Sequence, residues 1–156
     1  MSDYRTLDVW KMAHAIALAT YRITAEFPNH ERFGLTSQTR RAVASIAMNI
    51  AEGAGRDSDP DFRRFIAIAK GSTNEVEYCL LLARDLGHLP EATFEEIGES
   101  LARTRSMLTR LRQSLGFGQG HSTGNGQRGT GYGLRATPYL AMSTTSRRPE
   151  PPALSP

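Results

Sequence analysis

The sequence predicts an all-α protein, an up-down-up-down antiparallel four-helix bundle with a disordered C-terminal tail. Three observations carry this. Apolar residues recur at spacings of three and four through four segments of roughly 20 to 27 residues. Short connections carrying Pro or Gly join them, which makes consecutive helices antiparallel neighbours in a bundle about 30 to 40 Å long. No stretch shows the strict alternation of a half-buried strand.

The first helix follows Leu7, Trp10, Ala17, Leu18 and Tyr21, with His14 on the same stripe, and stops at Phe27-Pro28 because the residue before a proline is pushed out of the α region. Pro28-Asn29-His30 then reads as a turn leading to Gly34. A second helix, capped by Thr36 or Ser37, runs through Val43, Ile46, Ala47, Ile50 and Ala54 until Gly53 and Gly55 loosen it. The third has the sharpest start: Asp59 caps, Pro60 suits the first helical position and Asp61 complements the dipole. Phe62, Phe65, Ile66, Ala69, Val76, Leu80 and Ala83 trace its buried face, and Gly71 in mid-helix suggests close approach of another backbone. Leu89-Pro90 closes that segment. Thr93 and Glu96 offer a capping box for the fourth helix, whose Ile97, Leu101, Thr104, Leu108, Leu111 and Leu115 form a heptad seam with one polar member.

The chain has 156 residues and 17.2 kDa, room for one core, which the sequence assigns to residues 1–115. Residues 116–156 carry 8 Gly and 5 Pro and cannot bury enough surface to offset ordering entropy. Lys and Arg number 15 against 15 Asp and Glu in residues 1–115, and 4 against 1 beyond, so the net charge of +3 belongs to the tail. A pI near 9.3 therefore says nothing about the bundle. Arg supplies 17 of the 19 basic residues, a bias that suits phosphate recognition but that skewed genomic composition also produces. The single Cys79 excludes an intramolecular disulfide and a cysteine-based zinc site, and reads as a small buried hydrophobe. With no apolar leader or membrane-length run, the expected location is cytoplasmic, away from membranes.

A polar line, Gln38, Arg41, Ser45, Asn49 and Glu52, runs along one side of the second helix, and Arg64, Gly71 and Glu75 answer it on the third. Arg41 or Asn49 is expected to pair with Glu75 or Glu52, within the bundle or between subunits. Such a seam is either a ligand or metal site or a hydrogen-bonded network that fixes register; the second reading is favoured, because structural ion pairs cluster as active sites do. A di-iron carboxylate site would need two Glu-x-x-His pairs, and none occurs. The nearest approach is Asp85-Leu86-Gly87-His88, a single pair without a partner, and His14 reads as a boundary histidine. Nucleophile elbows, phosphate-binding loops and dinucleotide fingerprints are also missing. The expectation is a protein without catalytic residues, metal or cofactor.

Charge placement says more. The fourth helix opens with Glu91, Glu95, Glu96 and Glu99 and finishes with Arg103, Arg105, Arg110 and Arg112. The macrodipole explains the sign of this pattern but not the density of arginine. In the bundle topology Arg5, Lys11, Arg56, Arg63 and Arg64 share that end, diluted by Asp3, Asp8, Asp57, Asp59 and Asp61. A symmetric oligomer would repeat this basic surface and strengthen its attraction to a polyanion.

Gln38 to Gly53, followed by Phe62 to Ser72 and Glu75, closely resembles the bacterial four-helix-bundle proteins encoded in intervening sequences of large-subunit ribosomal RNA genes. The accessory variability determinant of diversity-generating retroelements shares the pattern. Leu7-Asp8-Val9-Trp10 and Phe27-Pro28 extend the likeness, which spans residues 4 to about 115. The resemblance implies a homopentamer that binds nucleic acid through basic surface, with a reverse transcriptase and its template RNA as partners in the retroelement branch. It makes Gln38, Arg41, Ser45, Asn49, Glu52, Gly71 and Glu75 bundle and subunit architecture. Two functions follow as expectations. The first is a non-enzymatic, homo-oligomeric RNA- or DNA-binding bundle holding phosphates through Arg103, Arg105, Arg110 and Arg112. The second is a protein-interaction scaffold of the same fold that docks a polymerase or another partner.

Overall fold

The computed structural model describes residues 3–116 and folds them into α1 (Asp8–Ile23), α2 (Leu35–Ala54), α3 (Asp59–Asp85) and α4 (Glu91–Ser114). Short 3-10 turns occupy Tyr4–Thr6 and Asn29–Glu31, and no strand occurs among the described residues. The expected disordered tail lies, beyond Gly116, outside the described residues.

α2 and α3 share the largest interface, α1 packs on α2 and α4 on α3, and α4 closes the ring against α1; the diagonal pairs do not approach. Gln38 meets Glu75 and Ser45 meets Ser72, so numbering rises on α2 as it falls on α3. This is the antiparallel bundle that the periodicity predicts. Val43, Ile46, Ile50, Ile66, Val76, Leu80, Leu101 and Leu108 are fully buried at its centre, each worth roughly 1.5 to 3 kcal/mol of burial. The α4 seam is as expected, with Ile97, Leu101, Thr104 and Leu108 buried and Leu111 and Leu115 packed at its edge. Thr104, its polar member, donates its hydroxyl to the Ser100 carbonyl at 2.9 Å and so enters the core satisfied.

On α1 the buried face is Val9, Ala13, Ile16 and Thr20, rotated from the expected stripe. Leu7, Trp10 and Ala17 only flank the core, while Leu18 and Tyr21 are each 47% exposed and His14 is exposed, stacked on Trp10 at 5.2 Å. The helix is apolar on two adjoining faces, and small residues such as Ala13 let α1 seat closely, so its larger side chains fall at the edge of the buried face.

The caps also differ. α2 starts at Leu35, whose amide donates to the Glu31 carboxylate at 2.9 Å, so Thr36 and Ser37 lie inside the helix. α3 is capped by Ser58, whose hydroxyl accepts from the Asp61 amide at 3.3 Å; Asp59 is already helical and Pro60 sits in the first turn. α4 begins at Glu91 behind Pro90, which places Thr93 within the first turn, and the Thr93–Glu96 box does not form.

Gly71 is a further correction. It is exposed, and a Cβ there would meet nothing within 4 Å. The close approach belongs to Gly53, where a Cβ would fall 2.8 Å from Phe65 Cβ and 2.6 Å from the Phe62 ring. Gly53 thus lets the end of α2 seat against the beginning of α3.

Candidate nucleic-acid interface

Arg103 and Arg105 lie two residues apart, about 200° around the helix, and so flank Thr104 on opposite sides of the buried stripe. Arg110 repeats the side of Arg103 one heptad on, and Arg112 repeats that of Arg105. The four expected phosphate contacts therefore divide between two flanks of α4. Arg105 is engaged within the bundle: its guanidinium pairs with the Glu77 carboxylate of α3, and its Nε lies 3.4 Å from the Thr73 hydroxyl. It ties α4 to α3. Arg103, Arg110 and Arg112 are exposed and have no acidic partner within ion-pair distance among the described residues.

Arg112 joins Arg63 and Lys70 of α3 around a cleft of about 200 Å³ that Thr109 and Gln113 complete. Arg63 and Lys70 likewise have no acidic partner among the described residues. Three unneutralised cations and two neutral hydrogen-bonding groups thus converge where the start of α3 meets the end of α4. Such a cleft can hold a phosphate by charge and by donated hydrogen bonds. Of the other basic residues expected at this end, Arg5 is neutralised by Asp3 at 3.8 Å, Lys11 by Asp8 at 3.0 Å and Arg56 by Glu52, whereas the exposed Arg64 has no acidic partner among the described residues. Lys70 went unnoticed in the sequence. Its signal is the heptad spacing from Arg63, matched by that of Arg105 and Arg112 on the facing helix.

The polar seam forms, with different pairs. Gln38 is its hub, donating to Glu75 of α3 and accepting from Arg41. Ser45 and Ser72 share a hydroxyl hydrogen bond of 2.9 Å, and Asn49 donates to the Ser45 carbonyl and hydroxyl at 2.7 and 3.0 Å. Glu52 turns to Arg56, just beyond the end of its own helix. Arg41 therefore reaches Glu75 only through Gln38, and Asn49 reaches neither acid. The seam runs along the α2/α3 edge, with Arg41, Glu52, Gly71 and Glu75 exposed. Small side chains and a short amide leave the long charged groups nearer to water, where they need no buried partner. Arg41, Ser45, Asn49 and Glu52 also line a groove of about 490 Å³ with Tyr21, Arg40, Ala44 and Met48. Arg40 anchors its wall, donating to the Thr24 hydroxyl at 2.8 Å and lying over the Tyr21 ring at 5.0 Å.

Cys79 is buried, as expected; burial pushes its thiol up, as does the Glu75 charge, against the opposing Thr39 hydrogen bond. A thiol held protonated is a poor nucleophile. Of the Asp85-x-x-His88 pair, Asp85 pairs with Arg84 at 2.7 Å. His88 instead meets His30 and Glu31 from the α1–α2 connection, the ligand atoms of the three lying within 4.8 Å of one another. Only folding brings these connections to one pole. No helix among the described residues is long and apolar enough to cross a membrane.

Comparison with known proteins agrees with this architecture. No curated protein matches the chain. A crystal structure from Bacteroides thetaiotaomicron, of a protein with unknown function from the S23 ribosomal protein family, superposes with a TM-score of 0.63 at 24% identity. The match covers 67% of this chain and 95% of that one, and shows the fold alone. Residues 5–110 match the family described as 23S rRNA-intervening sequence protein. That match spans most of the chain and all of the bundle but its outermost residues, and the protein belongs to the 23S rRNA-intervening sequence protein family.

Proposed function

We propose that the protein is a non-enzymatic, homo-oligomeric nucleic-acid-binding bundle that grips backbone phosphates in the α3/α4 cleft. The observation that carries this is the convergence of Arg63, Lys70 and Arg112 without acidic partners among the described residues. Arg103 and Arg110, on the other flank of α4, extend the positive surface around the helix. RNA is the nucleic acid that the family resemblance favours, and a homopentamer is the assembly it implies. Repeating one cleft around a ring would multiply weak, sequence-tolerant phosphate contacts into useful affinity. The groove beside Met48, which is 68% exposed, supplies apolar and hydrogen-bonding surface for self-association. The cytoplasm is the compartment that fits this work and a reduced Cys79.

Labelled RNA titrated with the full-length protein tests the reading. Affinity should fall between 50 and 200 mM salt, with a slope of roughly −0.7 to −0.9 per phosphate neutralised. Replacing Arg63, Lys70 and Arg112 together by Gln should flatten that slope. Absence of binding at low salt, or binding indifferent to salt, would overturn it.

A second reading, a protein-docking scaffold that serves a polymerase such as a reverse transcriptase, is favoured by the exposed Ile68, Tyr78 and Leu82 of α3. Gln in place of all four α4 arginines separates the two: unchanged RNA affinity with partner binding retained supports the scaffold.

A further inference from the structure

We propose that His30, Glu31 and His88 form a binding site for a divalent transition-metal ion, zinc in the first instance, that clamps together the two connections at the pole opposite the cationic cleft. Their ligand atoms already lie within 4.8 Å of one another. Zinc bonds of about 2.0 to 2.2 Å require tetrahedral donor separations of roughly 3.3 Å, a closure of at most about 1.5 Å. Rotation of the exposed His30 side chain can supply it.

The backbone holds all three residues in place beforehand. Gly87, at φ +76°, ends α3 in a left-handed turn; its amide donates to the Arg84 carbonyl at 2.9 Å, and that of His88 to Ala83 at 2.8 Å. This double-bonded helix terminus fixes where His88 begins. Its ring then faces His30 edge-on at 6.0 Å and packs on Phe27 at 6.3 Å. His30 and Glu31 sit on the 3-10 turn, closed by the Glu31 amide donating to Pro28 at 2.9 Å.

Glu31 is oriented as a ligand should be. Its Oε2 accepts from the Leu35 amide at 2.9 Å, leaving Oε1 facing His30 Nε2 at 4.0 Å. A hydrogen bond to one carboxylate oxygen commonly positions the other on a metal. Gly34 makes this possible, since a Cβ there would fall 2.8 Å from Oε2. Two imidazoles and one carboxylate suit zinc, and three protein donors leave one position for water.

The test uses full-length protein freed of metal by chelation, titrated with zinc by calorimetry and with cobalt(II) by visible absorption. One ion per chain, a tetrahedral cobalt spectrum and a higher Tm with zinc are expected. His30→Ala and His88→Ala should each weaken binding by more than about tenfold. Glu31→Gln keeps an acceptor for Leu35 but removes the anionic donor, so it should weaken zinc binding with only a slight fall in metal-free Tm from the weaker helix cap. His14→Ala and His121→Ala should bind as the parent does. Absence of saturable binding at one equivalent overturns the proposal, as does affinity that survives both His30→Ala and His88→Ala or disappears in His121→Ala; His30, His88 and Phe27 would then be only an aromatic plug over the end of the core.

Discussion

Alanine at Gly53 and, separately, at Gly71 should affect stability unequally. Replacing a helical glycine by alanine contributes roughly 1 kcal/mol through backbone entropy alone. At Gly71 a Cβ meets nothing within 4 Å, so Gly71→Ala should gain that full amount. At Gly53 the new Cβ would lie 2.6 Å from Phe62 Cδ2 and 2.8 Å from Phe65 Cβ. The Phe62 ring can swing away. Phe65 Cβ is fixed to the α3 backbone, and reaching a normal carbon separation of about 3.5 to 4.0 Å means pushing the helices apart by roughly 1 Å. Overpacking of this kind costs about 1 to 3 kcal/mol. Because both variants gain the same propensity, their difference isolates the clash, and Gly53→Ala should be less stable than Gly71→Ala by roughly 1 to 3 kcal/mol. Urea unfolding followed by circular dichroism reads this directly as a shift in midpoint at constant slope. If Gly53→Ala matched Gly71→Ala in stability, the close approach of α2 to α3 assigned here would be refuted. Loss of stability in Gly71→Ala, relative to the parent, that vanished on dilution would instead locate Gly71 at a subunit contact.

Other outcomes are equally specific. The Thr20 hydroxyl is fully buried without a hydrogen-bond partner among the described residues; Thr20→Val keeps the shape and should stabilise the protein by about 1 kcal/mol in the same assay. Arg105→Gln loses a half-exposed ion pair, should cost less than about 1 kcal/mol, and should leave RNA affinity unchanged. Arg112→Gln should do the reverse, weakening RNA binding and lowering the salt slope by about 1 with stability intact. Burial raises the Cys79 thiol, so it should react with a disulfide reagent only as fast as the protein opens. The sign of the linked pH effect follows. Above the ordinary thiol range the unfolded chain loses a proton that the folded chain keeps, so stability should fall as pH rises toward the raised folded value, a decline that Cys79→Ala should reduce.

The candidate interface was legible in the sequence only as charge density. Arginines at the end of α4 stood out, but whether each is free depends on what the neighbouring helix presents at the same height. Arg105 faces Glu77 and is consumed; Arg112, one heptad on, faces Arg63 and Lys70 and is not. The polar seam was legible as a line of residues, while its pairing was not, because Gln38 rather than a charged residue bridges the helices and Ser72 was not singled out. His88 reads in the sequence beside Asp85, its neighbour along the chain, whereas His30 and Glu31 are near it only in space.

What the sequence determined unaided was the number of helices, their order and limits to within a few residues, and the buried faces of α2, α3 and α4. Those are local quantities: a period of 3.6, a proline that stops a helix and a heptad of leucines act within one segment. Tertiary structure alone decided the rotation of α1, which glycine sits under a facing side chain, and which cations keep their charge exposed. Each of these depends on what a second helix places opposite, and no periodicity along one strand of text encodes the distance between two helices.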